Sequence, residues 1–196
     1  MKKLFLTLAL AFAGIMSANA QLWLGGSASA LANKNHTMIS IAPEVGYSFP
    51  NTKWTIAIGA NYGFNKGTKE VQTEIDGIMT TQNQEYKFNY ITLSPYVRYS
   101  ICTLKNNEGI DKFAMFLDLT GDFGLKDCKG YRVGLQPGIA WMATKHWTAA
   151  FRFGFIGYNQ LEGFESMNNG ESLYGEKGFN FGFAAAAPTF GLYYNF

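Results

Sequence analysis

The chain has 196 residues, which suits one domain. Charged residues make up 15% and aromatics 16%, with 22 Gly; this excludes a disordered chain and suits a β-protein with an unusually apolar surface. Without Lys2 and Lys3, which belong to a leader segment, the formal charge falls from +2 to 0, so nothing in the electrostatics favours nucleic acid as a partner.

Residues 1–20 stand apart. "MKK" is a positive start, "LFLTLALAFAGIM" is apolar, and "SANA" ends in an A-x-A pattern at Ala18 and Ala20. These are the parts of a cleavable secretory signal peptide, predicted as a helix outside the mature fold. The apolar stretch is short for an N-terminal membrane helix, and no Cys sits at the cut to carry a lipid anchor. After Met16 no run approaches 18 apolar residues, which excludes a spanning helix.

From Gln21 onward the chain shows period-2 alternation, repeated. Turn chemistry cuts it into eight runs: 21–32, 37–49, 54–65, 86–101, 113–125, 131–142, 147–158 and 179–196. In the third, Trp54, Ile56, Ile58, Ala60, Tyr62 and Phe64 share one face; Thr55, Ala57, Gly59, Asn61, Gly63 and Asn65 share the other. In the seventh, Trp147, Ala149, Phe151, Phe153 and Phe155 alternate with Thr148, Ala150, Arg152 and Gly154. Each run is long enough to cross a bilayer as a tilted strand. "PNTK" (50–53) and "ATKH" (143–146) are tight joins, with 102–112 at the same end. Long polar connections, 66–85 and 159–178, fall at the other end. The predicted fold is all-β: an eight-stranded antiparallel up-and-down transmembrane β-barrel over 21–196. Around Asp76-Gly77 the first long connection alternates as a hairpin with a two-residue turn, so the third and fourth strands are expected to continue as a protruding ribbon.

A soluble carrier of the lipocalin kind also has eight strands, with its apolar face inward, so the faces must be assigned. Trp23, Trp54, Trp141 and Trp147 all fall at strand ends on the short-turn side and predict one aromatic girdle at a membrane interface. The polar face is rich in Gly, Ala and Ser and poor in Lys, which suits a narrow lumen better than a wet surface. The chain's three Arg, at 98, 132 and 152, lie within strands on that polar parity, as do Glu44, Asp118 and Asp122. Three bases and three acids on one interior face predict a paired charge network. Depth along the strands predicts two layers: Glu44, Arg98, Asp118 and Arg152 nearer the short turns, Asp122 and Arg132 nearer the long loops. The registers place Arg98 diagonal to Asp118 and Asp122 diagonal to Arg132, and Glu44 is expected to meet Arg152 across the lumen.

Such a network reads as a structural plug, since eight strands enclose a space that side chains can fill. A narrow pore for small solutes is the alternative. A lipid-modifying enzyme needs a nucleophile beside a base. His36 and His146 fall at opposite ends, and Ser27 and Ser29 have no base in sight, so no catalytic residues are assigned. Neither a cofactor nor a metal site is predicted; Glu74 and Asp76 are two acids on a loop. Cys102 and Cys128 are separated by a full strand crossing, and no disulfide is expected between them. Pro43, Pro95, Pro137 and Pro188 sit in strands and predict local breaks or bulges. In the last run Phe179, Phe181 and Phe183 hold one parity and Phe190, Leu192, Tyr194 and Phe196 the other, which predicts a bulge or, alternatively, that the first three Phe stand above the membrane, where facing matters less.

The last strand, "TFGLYYNF", carries a polar-x-Gly-x-x-apolar-x-aromatic pattern at Thr189, Gly191, Tyr194 and Phe196. It resembles the C-terminal assembly signal of Gram-negative outer-membrane proteins. With "IAPEVGYSF…WTIAIGANYGF", "LSPYVRY" and "LQPGIAW", residues 21–196 resemble the small OmpX/OmpA-like outer-membrane β-barrel domain, in the form common in Bacteroidota. The resemblance implies outer-membrane lipid as surroundings, the barrel-insertion machinery as a transient partner, and periplasmic N- and C-termini. It implies little biochemistry. The role expected is structural or surface-interacting, with 66–85 and 159–178 as contact surface on a monomer.

Overall fold

The structure, a computed structural model, describes residues 21–32, 36–75, 78–163, 177–182 and 188–196. The leader and the Asp76-Gly77 turn lie outside them. The described chain is all-β, in twelve strands: β1 (Gln21–Ala32), β2 (His36–Ser48), β3 (Trp54–Ile75), β4 (Ile78–Lys105), β5 (Asp111–Lys126), β6 (Cys128–Lys129), β7 (Tyr131–Met142), β8 (Trp147–Arg152), β9 (Phe155–Asn159), β10 (Glu162–Gly163), β11 (Gly178–Gly182) and β12 (Thr189–Asn195). Neighbours pair antiparallel from β1 to β5 and on to β7. Next to β7, β8 and β9 together form a seventh stave, and β11 and β12 form an eighth. Strand β12 then pairs with β1 from Trp23↔Asn195 to Ser29↔Thr189. The result is a closed eight-stranded antiparallel β-barrel, which leaves no edge along that seam.

Alternation sets the two faces. Along β3, Trp54, Ile56, Ile58 and Tyr62 are exposed while Thr55, Gly59, Gly63 and Asn65 are buried. The β3–β4 ladder runs unbroken from Trp54↔Tyr99 to Ile75↔Ile78, so the expected ribbon forms and continues past the end of β2, whose pairing with β3 stops at His36↔Gly67.

The prolines mark interruptions, each on one side only. Pro43 pairs with Gly26 of β1, but the β2–β3 ladder skips it. Pro95 pairs with Ile58, but the β4–β5 ladder skips it. A proline has no N–H to give, so each keeps a partner only where none is needed. At Pro137 the neighbour bulges instead. Between Gly138↔Arg152 and Leu135↔Ile156, β7 advances three residues and the seventh stave four. The extra residue falls at 153–154, where Gly154 has φ 66°. This corrects the continuous seventh strand predicted from the sequence: past the bulge parity flips, and Phe155 points inward, almost fully buried. In the eighth stave Phe181 and Phe190 are both exposed although nine positions apart. Strands β11 and β12 thus hold opposite parities, as the sequence does; the bulge expected between them falls on residues 183–187, outside the described residues.

The interior is packed by rings lying over glycines. Trp23 covers Gly46, Tyr90 covers Gly63, Phe116 covers Gly138, and Phe155 lies against Gly134 and Gly157; none of these sites has room for a Cβ. The small residues of the polar face are thus the floor that the large ones need.

Candidate functional site

The barrel interior is the candidate site. Pro43 turns no side chain inward, and Glu44, the next residue, is flanked in register by Gly25 and Gly59. Gly59 lies against the Glu44 side chain, Gly25 leaves its space to the Tyr193 ring, and the carboxylate is almost fully buried. Arg152, at the end of β8, crosses the lumen to reach it. Its Nη1 donates to Glu44 Oε1 (3.2 Å) and its Nη2 to Oε2 (3.0 Å). Its Nε donates to Asp118 Oδ2 (2.9 Å). Arg98 completes the layer with a two-pronged grip on Asp118, Nε to Oδ1 at 2.8 Å and Nη2 to Oδ2 at 2.9 Å. Glu44 also accepts from Tyr96 Oη (2.7 Å), Tyr193 Oη (3.2 Å) and the Ser27 hydroxyl. The Arg98 guanidinium lies 3.6 Å over the Phe116 ring, and that of Arg152 lies 4.8 Å over Tyr96. Burying four charges costs several kcal/mol each unless every lone pair and N–H finds a partner. Here two acids and two bases balance, and the planar forks of the arginines fit the carboxylates.

The second layer is smaller. Arg132 Nη1 donates to Asp122 Oδ2 at 3.4 Å, and Ser94 Oγ to Oδ1 at 2.7 Å. The Arg132 guanidinium lies 3.6 Å over Phe155, the ring that the bulge turns inward. Both hairpin pairs sit directly opposite one another, Arg98↔Asp118 and Asp122↔Arg132, rather than diagonally as predicted. The β4–β5 ladder holds its register through the Pro95 gap, from Leu93↔Phe123 to Tyr96↔Thr120, which fixes the closer pairing.

Two spaces remain. One, of about 100 Å³, lies among Ser27, Ser29, Ser40, Asn61, Thr120 and Gln136, with Glu44, Arg152, Asp122 and Arg132 also in its wall. The other, of about 770 Å³, opens at the short turns and reaches up to Trp23, Arg98, Phe116 and Tyr193. They share no lining residue: the layer of Glu44, Arg152, Asp118 and Arg98 stands between them.

The tryptophans divide. Trp54, Trp141 and Trp147 are about half exposed on the outer face. Trp23 is not part of that ring: it is buried in the lumen, edge-on to Tyr193 at 4.8 Å. Parity contained the correction, because Trp23 is in phase with Gly25, Ser27 and Ser29, and it pairs with Gly46. At the terminus, Gly191 is buried beneath Tyr193, and Thr189 lines the smaller space. Tyr194 stacks on His146 at 5.4 Å and meets Trp147 and Phe196 edge-on at 5.2 Å. His146 is thereby on the outside of the short-turn rim. His36 opens β2 at the other end, and its side chain lies outside the described residues. Cys102 is an exposed free thiol and Cys128 a buried one.

Sequence reasoning missed the interior rings. Tyr96 and Tyr193 hold Glu44, and Phe116 and Phe155 carry two guanidinium planes. Tyr96 and Phe116 share the parity of Arg98 and Asp118, a signal available to reading. Phe155 is hidden by the bulge. Among the described residues no group of His, Cys, Asp and Glu could hold a metal, and no helix is long and apolar enough to cross a membrane, which says nothing of strands. Neither the family models nor the curated proteins to which the chain was compared give a match.

Proposed function

We propose that the chain is an integral outer-membrane β-barrel of the small OmpX/OmpA-like kind, with a plugged lumen and a structural or surface-interacting role. The observation that carries this is an inversion. Every stave presents large apolar side chains outward, such as Leu24, Ile41, Ile56, Val97, Met115 and Leu135, while the buried set includes Glu44, Asp118, Asp122, Arg132 and Arg152. A protein in water would forfeit the burial of that whole outer face. Lipid rewards it.

The height of the face supports the same reading. Trp54, Trp141 and Trp147 ring the short-turn end, and exposed Tyr62, Tyr131 and Tyr158 lie eight to eleven residues up the same staves. Tilted by roughly 40°, a strand climbs about 2.6 Å per residue, so the two aromatic rings are roughly 21–29 Å apart. An outer-membrane barrel carries an apolar band of about 25 Å between such girdles. In this reading Thr189, Gly191, Tyr194 and Phe196 are read by the insertion machinery, the termini are periplasmic, and 66–85 and 159–178 form the outward contact surface of a monomer.

The charge layer between the two spaces favours a plug over a pore. Fractionation tests the membrane reading: the chain is expected in the outer-membrane fraction, with gel mobility that changes on heating. Recovery in the aqueous fraction would overturn it in favour of a lipocalin-like carrier. In planar bilayers the protein is expected to be silent; discrete conductance steps would overturn the plug.

A further inference from the structure

At the long-loop end of the outer face two lysines stand directly opposite one another. Lys66 of β3 and Lys87 of β4 are Cα partners in the ladder, and both are exposed. They share parity with Tyr62 and Phe64 on β3, so they point away from the lumen. Like charges in directly opposed positions repel and destabilise a sheet. Among the described residues neither lysine makes an ion pair, and Glu85, an acid on the same face, sits opposite Thr68, one pair further out. The Nζ of Lys87 lies 5.5 Å from the centroid of the Phe64 ring, so this cation is held down against the barrel wall. Lys126, exposed on β5 opposite Ile91, adds a third cation lower on the same side.

The short-turn rim differs. There Lys53 donates to Ile101 O, Lys112 to Ala143 O, and Lys105 faces Asp111. Height then decides what the lysine pair meets. Lys66 is twelve residues above Trp54, which at the climb of a tilted strand is roughly 31 Å. With tryptophan at one interface, that distance spans the hydrocarbon and reaches the headgroups of the opposite leaflet.

The geometry points to Lys66 and Lys87 as a clamp for the phosphate of an anionic lipid headgroup in the outward leaflet. This rests on the membrane reading of the barrel. A phosphomonoester carries up to two negative charges and three acceptor oxygens, so it can take one N–H from each ammonium and turn a repelling pair into a bridged one. The apolar wall at Tyr62, Ile91 and Ile39 receives the acyl chains of the same lipid.

The test uses the folded barrel in bilayer discs of phosphatidylcholine containing a trace of spin-labelled phosphatidic acid or spin-labelled phosphatidylcholine. The wild type is expected to immobilise the phosphatidic acid probe preferentially. K66Q/K87Q is expected to lower that preference roughly thirtyfold, at about 1 kcal/mol per lysine near a charged surface. K53Q/K145Q, at the other rim, is expected to retain it. Heat-dependent gel mobility checks that each variant is folded. Equal immobilisation of both probes by the wild type, or a preference that survives K66Q/K87Q, overturns the clamp alone. Failure of the wild type to enter phosphatidylcholine discs overturns the membrane reading itself, so the two failures are distinct.

Discussion

The two charge layers of the lumen solve one problem in different ways. In the layer nearer the short turns, Arg152 ties β8 to β2, 108 residues away in sequence, and to β5 as well. In the layer nearer the loops, Asp122 and Arg132 are cross-strand neighbours within one hairpin, assisted by Ser94. The first joins opposite walls; the bonds described in the second run between neighbouring strands. Cross-lumen pairing is available because the barrel is narrow, and each such bond fixes how the closed sheet sits on itself. A local pair is formed by the ladder anyway and adds less to closure.

Substitution separates the two most sharply. Arg152→Met takes from buried Glu44 its only described cation, leaving it the Tyr96, Tyr193 and Ser27 hydroxyls while Asp118 keeps Arg98, and breaking one member of a buried pair costs ~3–5 kcal/mol. Arg132→Met leaves Asp122 bonded to Ser94 and bordering the polar space, so its cost is expected nearer ~1–3 kcal/mol. Urea unfolding of both variants in lipid vesicles, read by heat-dependent gel mobility, measures the gap. A double-mutant cycle between Glu44 and Arg152 is expected to show strong coupling across the lumen. Equal losses for the two variants would mean that cross-lumen bonding gives nothing beyond a hairpin pair.

Both layers are legible in the sequence, Asp122 with Arg132 as well as the larger group. Parity places Glu44, Arg98, Asp118 and Arg152 on one face, and charge balance pairs them, because strands without bulges keep the count of two. Strand bounds 21–32 and 131–142 agree with β1 and β7 for the same reason. What escapes a reading of the sequence has physical causes. Gly154 inserts one residue, so everything beyond it changes face, and a strict count of two turns Phe155 outward. For Trp23, residue type favours the interface while its own parity favours the lumen, and parity wins. The glycines read as small residues in a narrow space, but which ring each one floors depends on neighbours that only the closed register supplies.

Those glycines give a second, smaller contrast. Gly138→Ala pushes a methyl into Phe116, which is almost fully buried and capped by the Arg98 guanidinium. The ring has nowhere to go, and overpacking of this kind costs ~1–3 kcal/mol. Gly46→Ala meets Trp23, whose ring borders the space of about 770 Å³ at the short-turn mouth. There the indole can yield, so the loss in the same unfolding measurement is expected to be under about 1 kcal/mol. The reverse order would show that the mouth is as tightly packed as the layer over it.

The cysteines compare the two ends without disturbing stability. Cys102 is exposed and lines the short-turn mouth. Cys128 is packed with Tyr90 and Leu161 beyond the second layer, and its Sγ donates to Ile91 O at 3.2 Å. Burial pushes its thiol pKa up, which lowers the thiolate fraction at neutral pH; the thiolate is the reactive form, so both terms slow it. In the folded protein a maleimide is expected to modify Cys102 at least about tenfold faster than Cys128, with Cys128 catching up only on unfolding. The same reagent, made membrane-impermeant, reads orientation. With the short turns in the periplasm, Cys102 stays unmodified in intact cells and reacts once the outer membrane is permeabilised. Rapid modification of Cys102 in intact cells would turn the barrel over, and with it would move Lys66 and Lys87 to the inner leaflet.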